Sequence, residues 1–515
     1  MSCRPATGRH ARLTPVAAAA WLLWAAAPAA FAQVSSSFTP SLSATTSYSS
    51  SQGRGSGSSG NRDNQFITTL SPGISWSSNR GAVQGNVSYA LSATHYSKES
   101  EAKTLTNSLA GSLRAEVFDD RGFIDASATI GQTLISPFGT RAVGNGFQAA
   151  GNLAESRAAT ISPSFRGNLG GFAGYELRHT ASITSTPNAS LSDSTSQTTS
   201  FSLNSPGGGL FGWGASASSQ TVNFDAADKQ RTDRINVQLS YQPLSDLRLG
   251  VSGGQESVTT PGLNSRSFDN WGWSANWQPT TRTNLNVNSS RRYFGNSHSF
   301  SFSHRMRRST WTYTDSRGTT GGNDASGVGQ PVTLFALFDS LFTAQQPDPG
   351  LRRQLVLDFI RGLGRDPSEL VGGGFLPTAN SLQRRQDLAL AITGVRNSFS
   401  VQAFRSSTSA LDLGAGGVAG GVTGDPNAQV QLTGINASLS RRLTPRDSLS
   451  LIASQQSTKA AGTQPGNDLT SLGLTYSSQV SRLATASLSA RYAVFDSAVD
   501  AYREASVSAS LSLRF

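Results

Sequence analysis

Cysteine, charge and long apolar runs are all scarce in this sequence. Cysteine occurs once in 515 residues, and charged residues make up 14%, against a usual share of roughly 25%. Hydrophobic residues reach only 37%, below the roughly 45–50% of ordinary globular domains. These shortages argue against a disulfide scaffold, a thiolate metal site, a coiled coil and a helical enzyme, because each needs residues that are rare here.

Small polar residues take the place of the missing classes. About a sixth of the chain is Ser, glycine occurs 52 times, and the mean hydropathy is -0.27. Ser, Thr, Asn and Gly are weak helix formers, so the composition favours a β protein. Aromatic residues amount to 8% and are spread along the whole chain, which argues against charge-driven disorder.

The N-terminus has the regions of a secretory signal peptide. Its basic region contains Arg4, Arg9 and Arg12. An apolar stretch over 16–27 follows, and the small residues around Phe31 predict cleavage after Ala32, which removes residues 1–32. A membrane anchor is the alternative, but about 12 apolar residues fall short of the ~20 that span a bilayer. Cleavage removes Cys3 and three Arg but no acidic residue, which lowers the net charge from +11 to +8.

Apolar and polar residues alternate along most of the chain, as in strands with one apolar face. In 103–118, Leu residues share one face while Arg114 and Glu116 lie on the other. The turn Asp119-Asp120-Arg121-Gly122 follows and alternation resumes at Ile124, which predicts a hairpin. The predicted strands are about 10–14 residues long, whereas soluble strands average about 5–6 and tilted membrane strands need about 9–11.

Short and long connections also alternate. The long Gly- and Ser-rich connections occupy 50–63, 134–156, 184–196, 317–381, 408–427 and 457–468. Outer-membrane barrels have short periplasmic turns and long outer loops. If the mature chain starts on the periplasmic side, every long connection falls on the outer side.

The chain ends on a strand with a terminal aromatic residue, which is the pattern of a barrel-insertion signal. Its apolar face carries Ala505, Val507, Ala509, Leu511, Leu513 and Phe515. Such a strand offers an unpaired edge and an apolar stripe to the barrel-assembly machinery, which we expect to be a partner. Only helices and closed barrels satisfy backbone groups in lipid, and no predicted helix is long enough to span. The sequence therefore predicts an all-β, antiparallel up-and-down transmembrane β-barrel of about 22 strands, a single domain over 33–515.

One segment departs from the period of two. In the long outer connection 317–381, apolar residues at helical spacing predict helices over 332–345 and 349–363, the second starting after Asp348 and stopping at Gly364. A functional interpretation is a plug, a lid or a docking element. The plainer interpretation, which we favour, is a helical hairpin that packs its apolar faces on the barrel rim.

Charged residues on the polar faces are expected to line the lumen. The candidates are Arg114, Glu116, Glu176, Arg178, Arg234, Arg248, Arg292, Arg305, Arg307 and Arg514. Arg outnumbers acid in this set, and a wet, Arg-biased lumen favours anionic or hydroxyl-rich solutes. The alternative is that these Arg pair with acidic residues across strands as struts. On the apolar faces, we expect an aromatic girdle at the membrane boundaries, formed by Trp271, Trp273, Trp277, Trp311 and Tyr313.

Catalytic motifs are missing. The sequence has no phosphate loop, no HExxH and no paired cysteines, so we expect no enzyme, cofactor or metal site. The histidines of the mature chain are His95, His179, His298 and His304, and the first, second and fourth share the apolar faces near strand ends. The pI near 10.2 does not indicate nucleic acid, because the basic residues are dispersed and the chain is exported.

Several local strings resemble outer-membrane proteins associated with PEP-CTERM/exosortase and exopolysaccharide loci. They begin at Asp119 (DDRGFIDA), Ile135 (ISPFG), Ile161 (ISP), Tyr175 (YELR), Arg291 (RRYFGNS) and Ser303 (SHR), and they include the helical insertion from Leu334 to Leu363. The resemblance covers nearly the whole mature chain. It implies a Gram-negative outer-membrane location, contact with lipid and lipopolysaccharide, and a role in building or exporting a surface polysaccharide, with the polymer or export proteins as partners. It supplies no catalytic residue.

Three functions compete at this stage. The first is a channel or conduit for a polysaccharide or its secretion apparatus. The second is a structural or surface-binding barrel that holds matrix with its outer loops and does not transport. An outer-membrane enzyme comes third.

Overall fold

The computed structural model describes most of the chain after the N-terminal segment. The described residues are 36–53, 62–78, 81–98, 104–141, 151–187, 193–207, 209–225, 227–259, 265–320, 381–411, 429–498 and 500–515, with single residues at 335, 338, 339, 342, 352, 356 and 360. The predicted signal peptide over 1–32 and its cleavage site lie outside them.

The described chain forms a series of long strands. They are β1 Ser36–Gly53, β2 Arg62–Ser78, β3 Val83–Tyr96, β4 Thr104–Phe118, β5 Gly122–Leu134, β6 Leu153–Leu169, β7 Ala173–Ser185, β8 Ser194–Asn204, β9 Phe211–Phe224, β10 Ala227–Leu244, β11 Leu247–Thr259, β12 Arg266–Thr280, β13 Thr283–Arg292, β14 Gly295–Arg305, β15 Ser309–Thr319, β16 Ser381–Thr393, β17 Asn397–Ala410, β18 Val430–Arg442, β19 Asp447–Thr458, β20 Asn467–Gln479, β21 Ala484–Ser497 and β22 Tyr502–Arg514. Among the described residues, no helix is long and apolar enough to cross a bilayer.

Each strand pairs antiparallel with its neighbours in the chain, and the first strand pairs with the last. In that closing pair, Leu42 lies opposite Leu513 and Tyr48 opposite Val507. The backbone amide of Phe515 extends the pairing by donating to Pro40 at 3.0 Å. The 22 strands therefore form a closed antiparallel barrel, which confirms the predicted fold and strand number.

Every connection at one end of the barrel is short, and the C-terminus lies at this end. The turn between β4 and β5 shows how the sequence makes one: Asp120 adopts a φ of 56°, a left-handed conformation that Asp tolerates better than most residues. Longer connections, including 135–152 and 320–380, lie at the other end. We call the two ends the turn end and the loop end.

The two faces of the barrel wall differ in chemistry. Large apolar side chains protrude from the outer face, as Ile235 (66% exposed) and Val251 (60%) do on neighbouring strands. Trp271, Trp273, Trp277, Trp311 and Tyr313 of the expected girdle share this face, and the four Trp side chains are exposed. The inner face of most strands carries Ser and Thr.

Hydroxyl groups on the inner face bond to each other across strands. On β21 and β22, Ser487 Oγ lies 2.6 Å from Ser510 Oγ, and Ser489 Oγ lies 2.5 Å from Ser508 Oγ. Similar pairs join Ser71 to Ser92, Ser400 to Ser438 and Ser454 to Ser471. Much of the Ser excess therefore satisfies its own hydrogen bonds along the inner wall.

The described residues of the insertion between β15 and β16 lie inside the barrel. The described residues Phe335, Phe338, Asp339, Phe342, Arg352, Val356 and Ile360 have helical conformation. The predicted helices 332–345 and 349–363 otherwise lie outside the described residues, so their lengths stay predictions. Phe338, Phe342, Val356 and Ile360 form one buried cluster with Ala389, and Ile452 packs against it.

This cluster lies well inside the barrel. Ala389 alternates with the exposed Leu388, so it points inward, and it is only four residues from the turn end of β16. Ile452 alternates with the exposed Leu451 and occupies the middle of β19. The expectation that the insertion packs on the rim is therefore wrong. Its apolar residues find partners on the inner wall instead, because the inner faces of β16 and β19 carry apolar side chains there.

Candidate functional site: the barrel lumen

The structure places most of the predicted lumen residues on the inner face. Arg114, Glu116, Glu176, Arg178, Arg234, Arg248, Arg292, Arg305 and Arg514 each alternate with outer-face apolar residues on their strands. Arg307 does not, because β14 ends at Arg305 and Arg307 lies in the short turn that follows. That residue faces solvent at the turn end, and its expected lumen position is corrected.

A charge network joins three of these residues near the turn end. Asp125 accepts a hydrogen bond from Arg178 Nη1 at 3.2 Å and lies 3.7 Å from Arg114 Nε. Arg178 Nε also donates to Glu176 at 2.9 Å. The Arg114 guanidinium stacks over the buried Phe123 ring, 4.8 Å from its centroid. Both acids that contact Arg178 offset its charge within the inner wall.

A second pair is more deeply buried, at the loop end of β11 to β13. Arg292 Nη2 lies 2.5 Å from Glu256 Oε1, and the Glu256 side chain is fully buried. Arg234 lies opposite Glu256 in the register of β10 and β11. The rings of Tyr293 and Phe294 lie beside the Arg292 guanidinium, and Gln230 Nε2 donates to Tyr293 Oη at 3.3 Å.

Further inner-face arginines also have acidic partners. Arg385 Nε lies 2.7 Å from Asp387 Oδ2, and Arg491 Nη2 lies 3.1 Å from the buried Glu504. These pairs favour the interpretation of the arginines as struts between strands. They argue against the other interpretation, a lumen with an excess of positive charge. Sequence reasoning missed Asp125, Glu256 and Glu504 as the partners.

The inner wall is divided into a covered part and an open part. Inner residues of β16 to β22 are mostly buried or partly buried, and Ser450 and Phe495 have no exposed surface. On β12 to β14, by contrast, Asn284, Asn286 and Asn288 are exposed on the inner face. Within the described residues, the side-chain amides of these three Asn form no hydrogen bond.

The insertion provides part of the cover. Its residues Val356 and Ile360 have no exposed surface, and Arg352 Nε donates to Asp339 at 2.8 Å. That ion pair joins two described positions of the insertion. The buried apolar contacts with Ala389 and Ile452 fix the segment on the side of the lumen formed by β16 to β19.

A second segment, residues 135–141 between β5 and β6, reaches across the loop end. Phe138 packs with Val430 and Ala461, which lie at the opposite side of the barrel. The Arg141 guanidinium donates to Thr458 at 2.5 Å and to Pro137 at 2.8 Å. We call this segment the mouth segment.

The mouth segment is held by buried polar contacts. The Tyr502 hydroxyl donates to the carbonyl of Arg141, and Asn467 Nδ2 donates to the carbonyl of Pro137 at 3.1 Å. Burial lowers the pKa of Arg141 to about 10, and only the nearby Asp468 charge opposes this effect. The sequence pattern did not reveal this role of Ile135 to Gly139; the apolar residues of this string, within a polar connection, are the signal for it.

The histidines do not converge. His95 and His179 are exposed on the outer face, His179 Nδ1 lies 2.9 Å from Thr199 Oγ1, and His304 Nδ1 lies 2.8 Å from Thr283 Oγ1. His298 Nε2 lies 3.1 Å from Asp315 Oδ1 near the loop end. In the part of the chain that the structure describes, no group of His, Cys, Asp and Glu has the arrangement of a metal site.

Comparisons with known proteins yield matches in structure only. No protein-family model matches the sequence, and no curated protein matches it. The chain is similar in structure to the FrpB iron transporter from Neisseria meningitidis, at 10% identity and a TM-score of 0.48, covering 93% of this chain and 82% of that one. It is also similar to the outer membrane protein OpdK from Pseudomonas aeruginosa, at 9% identity and a TM-score of 0.33, covering 93% and 99%. A third is the siderophore receptor PirA from Pseudomonas aeruginosa, at 12% identity and a TM-score of 0.33, covering 92% and 80%.

Proposed function

We propose that this chain is a gated conduit in the outer membrane of a Gram-negative bacterium, and that it carries a hydroxyl-rich polymer. The observation that carries the proposal is the burial of Val356 and Ile360 against the inner wall of a closed barrel. A barrel of 22 strands is in the size range whose lumen holds a plug. Displacement of these buried side chains from the inner wall is the change that opens a path.

The membrane part of the proposal rests on the two faces of the wall. Exposed apolar side chains such as Leu239 and Val251 suit lipid, and ring closure leaves no unpaired strand edge. The polar inner face suits water. In this proposal, the signal peptide predicted over 1–32 directs the chain across the inner membrane before the barrel assembles.

The polymer part rests on the inner wall and on the sequence resemblance. Inner-face Ser, Thr and Asn offer many hydroxyl and amide groups, which suit a glycan chain. The strings beginning at Asp119 and Arg291 resemble proteins of exopolysaccharide loci. We therefore propose that the cargo is a surface polysaccharide.

A surface-binding barrel is the second candidate function. The observation in its favour is the mouth segment, because Phe138 and Arg141 are fixed across the loop end by buried contacts. A fixed cover suits a docking surface better than a wide, open pore. In that case the barrel holds matrix at the cell surface and does not transport it.

Planar-bilayer conductance of purified full-length protein tests the conduit. Ile360→Asp places a carboxylate in the fully buried cluster, and burial of an unpaired charge is strongly unfavourable, so the insertion is expected to leave the wall. Ser216→Asp on the inner face of β9 is the matched control, because this residue is exposed and lies outside the cluster. We expect frequent large openings for Ile360→Asp and wild-type behaviour for Ser216→Asp.

The conduit proposal fails if both variants and the wild type stay sealed while each still shows the heat-modifiable gel mobility of a folded barrel. A complementary test uses the cell. Deletion of the gene is expected to stop polymer export, whereas loss of matrix attachment with intact export selects the surface-binding barrel.

A further inference from the structure

The inner face of β13 carries a linear series of side chains that differs from the rest of the wall. From the turn end, Asn284, Asn286 and Asn288 follow each other at every second position. Successive side chains on one face of a strand are about 6.7 Å apart, so the three amides form a ladder about 13 Å long. All three are exposed on the inner face.

Asparagine is an unusual choice at these positions. Asn is depleted in strands, and other inner faces of this barrel use Ser and Thr in hydrogen-bonded pairs, as Ser489 and Ser508 do. Within the described residues, the three Asn side chains form no such bonds. A polar inner wall therefore does not require Asn, because Ser pairs provide one on other strands.

The strands on both sides extend the same chemistry. In the antiparallel register, Asn276 of β12 lies opposite Asn286, and Ser301 of β14 lies opposite it on the other side. Inner positions of β12 from Phe268 to Gln278 carry no charged side chain. This strip of wall is therefore neutral and rich in groups that both donate and accept hydrogen bonds.

A second observation comes from the loop end of the strip. Asn270 of β12 is 7% exposed, and its Nδ2 atom has no hydrogen-bond partner among the described residues. An unsatisfied buried donor costs free energy, and such groups call for a bound partner. The rings of Tyr293 and Phe294, 5.0 Å apart, lie in the turn that joins β13 to β14 at the same end, and both are partly exposed.

Charged inner side chains flank the three amides but do not interrupt them. Arg292, between Asn288 and the two rings, is paired with Glu256 at 2.5 Å. Arg305 lies towards the turn end, beyond the three amides. Arg248 lies outside the strip on β11, level with Asn286 through Asn276, and its Nη2 atom donates to Gln242 at 3.0 Å. Between Asn284 and Asn288, the inner faces of β12, β13 and β14 carry no cation that would attract an anionic chain. A neutral chain meets side-chain amides along the ladder and aromatic rings at its loop end.

We propose that the Asn ladder of β13, with Asn270 and the rings of Tyr293 and Phe294, is a binding track for a neutral glycan chain. The amides of the ladder donate to and accept from sugar hydroxyls, and the rings stack on the apolar faces of sugar units at the mouth. The inference deepens the proposed conduit function by naming its substrate class. The inference requires that a glycan chain can enter the lumen, but it does not require that the protein transports the glycan.

Isothermal titration calorimetry on the full-length protein in detergent tests the track. The neutral ligands are maltoheptaose, cellopentaose and mannopentaose, and the anionic ligand is an oligogalacturonate of similar length. We expect the wild type to bind at least one neutral oligosaccharide about tenfold more tightly than the anionic one, a difference of about 1.4 kcal/mol.

The triple variant Asn284→Ser, Asn286→Ser, Asn288→Ser keeps the polar wall that Ser forms elsewhere in this barrel, and its folding is checked by heat-modifiable mobility. We expect it to bind the neutral ligand about tenfold more weakly. The control is Ser506→Ala, Ser508→Ala, Ser510→Ala on the inner face of β22, for which we expect wild-type affinity.

Three results overturn the proposal: equal binding by the Asn ladder variant, preference for the oligogalacturonate, or no binding of any neutral ligand at about 10 mM. The outcome is independent of conductance. A barrel that binds glycan but never conducts supports the binding track and rejects the conduit. A barrel that conducts but binds no glycan supports the conduit and rejects the binding track.

Discussion

Arg292 Nη2 lies 2.5 Å from Glu256 Oε1, across the intervening strand β12, and neither side chain is exposed by more than 9%. The Glu256 carboxylate also accepts from the backbone amide of Tyr293 at 3.3 Å. This pair ties the loop end of β13 to β11 and positions the turn that carries the two aromatic rings. Removing one partner leaves a buried, uncompensated charge.

Arg292→Ala is therefore expected to lower the free energy of unfolding by about 3–5 kcal/mol. The measurement is the urea concentration at which the heat-modifiable band of the folded barrel disappears. The paired variant Glu256→Leu, Arg292→Met removes both charges and is expected to recover most of the stability. Equal urea midpoints for Arg292→Ala and the wild type contradict a structural role for the pair.

The pairing of the inner arginines shows what sequence reasoning missed. Alternation places Arg178 and Arg292 on the polar face, but it does not reveal their partners. Asp125 is 53 residues from Arg178 and two strands away, and Glu256 is 36 residues from Arg292. Such contacts depend on the register between strands and on the curvature of the closed wall. The alternation along a single strand shows each Arg but not its acidic partner, so the sequence overstates the net positive charge of the inner wall.

Period-two alternation was sufficient for the barrel itself. It predicted the hairpin at Asp119 to Gly122, the strand number and the two faces, because a wall that separates lipid from water imposes one pattern on every strand. The position of the insertion could not be predicted in the same way. Helical spacing identifies an apolar face around Ile360, but not the surface, such as Ala389, that covers it.

The mouth segment gives a prediction about local opening. Tyr502→Phe removes the hydroxyl that donates to the Arg141 carbonyl, at a cost of about 1 kcal/mol, which is a factor of about five in the population of the undocked segment. Arg141 is 2% exposed, so trypsin cleaves after it only when the segment is undocked. We expect cleavage after Arg141 to be about fivefold faster than in the wild type, with the cleavage rate measured by mass spectrometry.

The control for this experiment is Tyr476→Phe. The Tyr476 hydroxyl donates to Asp447 at 3.1 Å near the turn end, far along the strand from the mouth segment. Cleavage after Arg141 should keep its wild-type rate in this variant. A Tyr502→Phe rate equal to the control shows that the mouth segment is not held by this contact.

The closing strand gives a prediction about assembly. Val507 protrudes from the outer face near the middle of β22 and is 51% exposed, whereas the neighbouring Ser508 points inward. An Arg on the lipid face costs about 2–4 kcal/mol near the bilayer midplane, and inner positions tolerate polar change. We expect Val507→Arg to reduce the heat-modifiable fraction in outer-membrane preparations far more than Ser508→Arg. Equal losses contradict the assignment of the faces.

Labelling of single cysteines tests the assignment of lumen and lipid faces most directly. Cleavage of the predicted signal peptide leaves no native cysteine, so an introduced thiol has no background. Asn286→Cys and Val287→Cys are adjacent on β13 and point to opposite faces. A membrane-impermeant maleimide added to intact cells is expected to label Asn286→Cys and to leave Val287→Cys unlabelled. Labelling of Val287→Cys with protection of Asn286→Cys contradicts a water-filled lumen behind a lipid-facing wall.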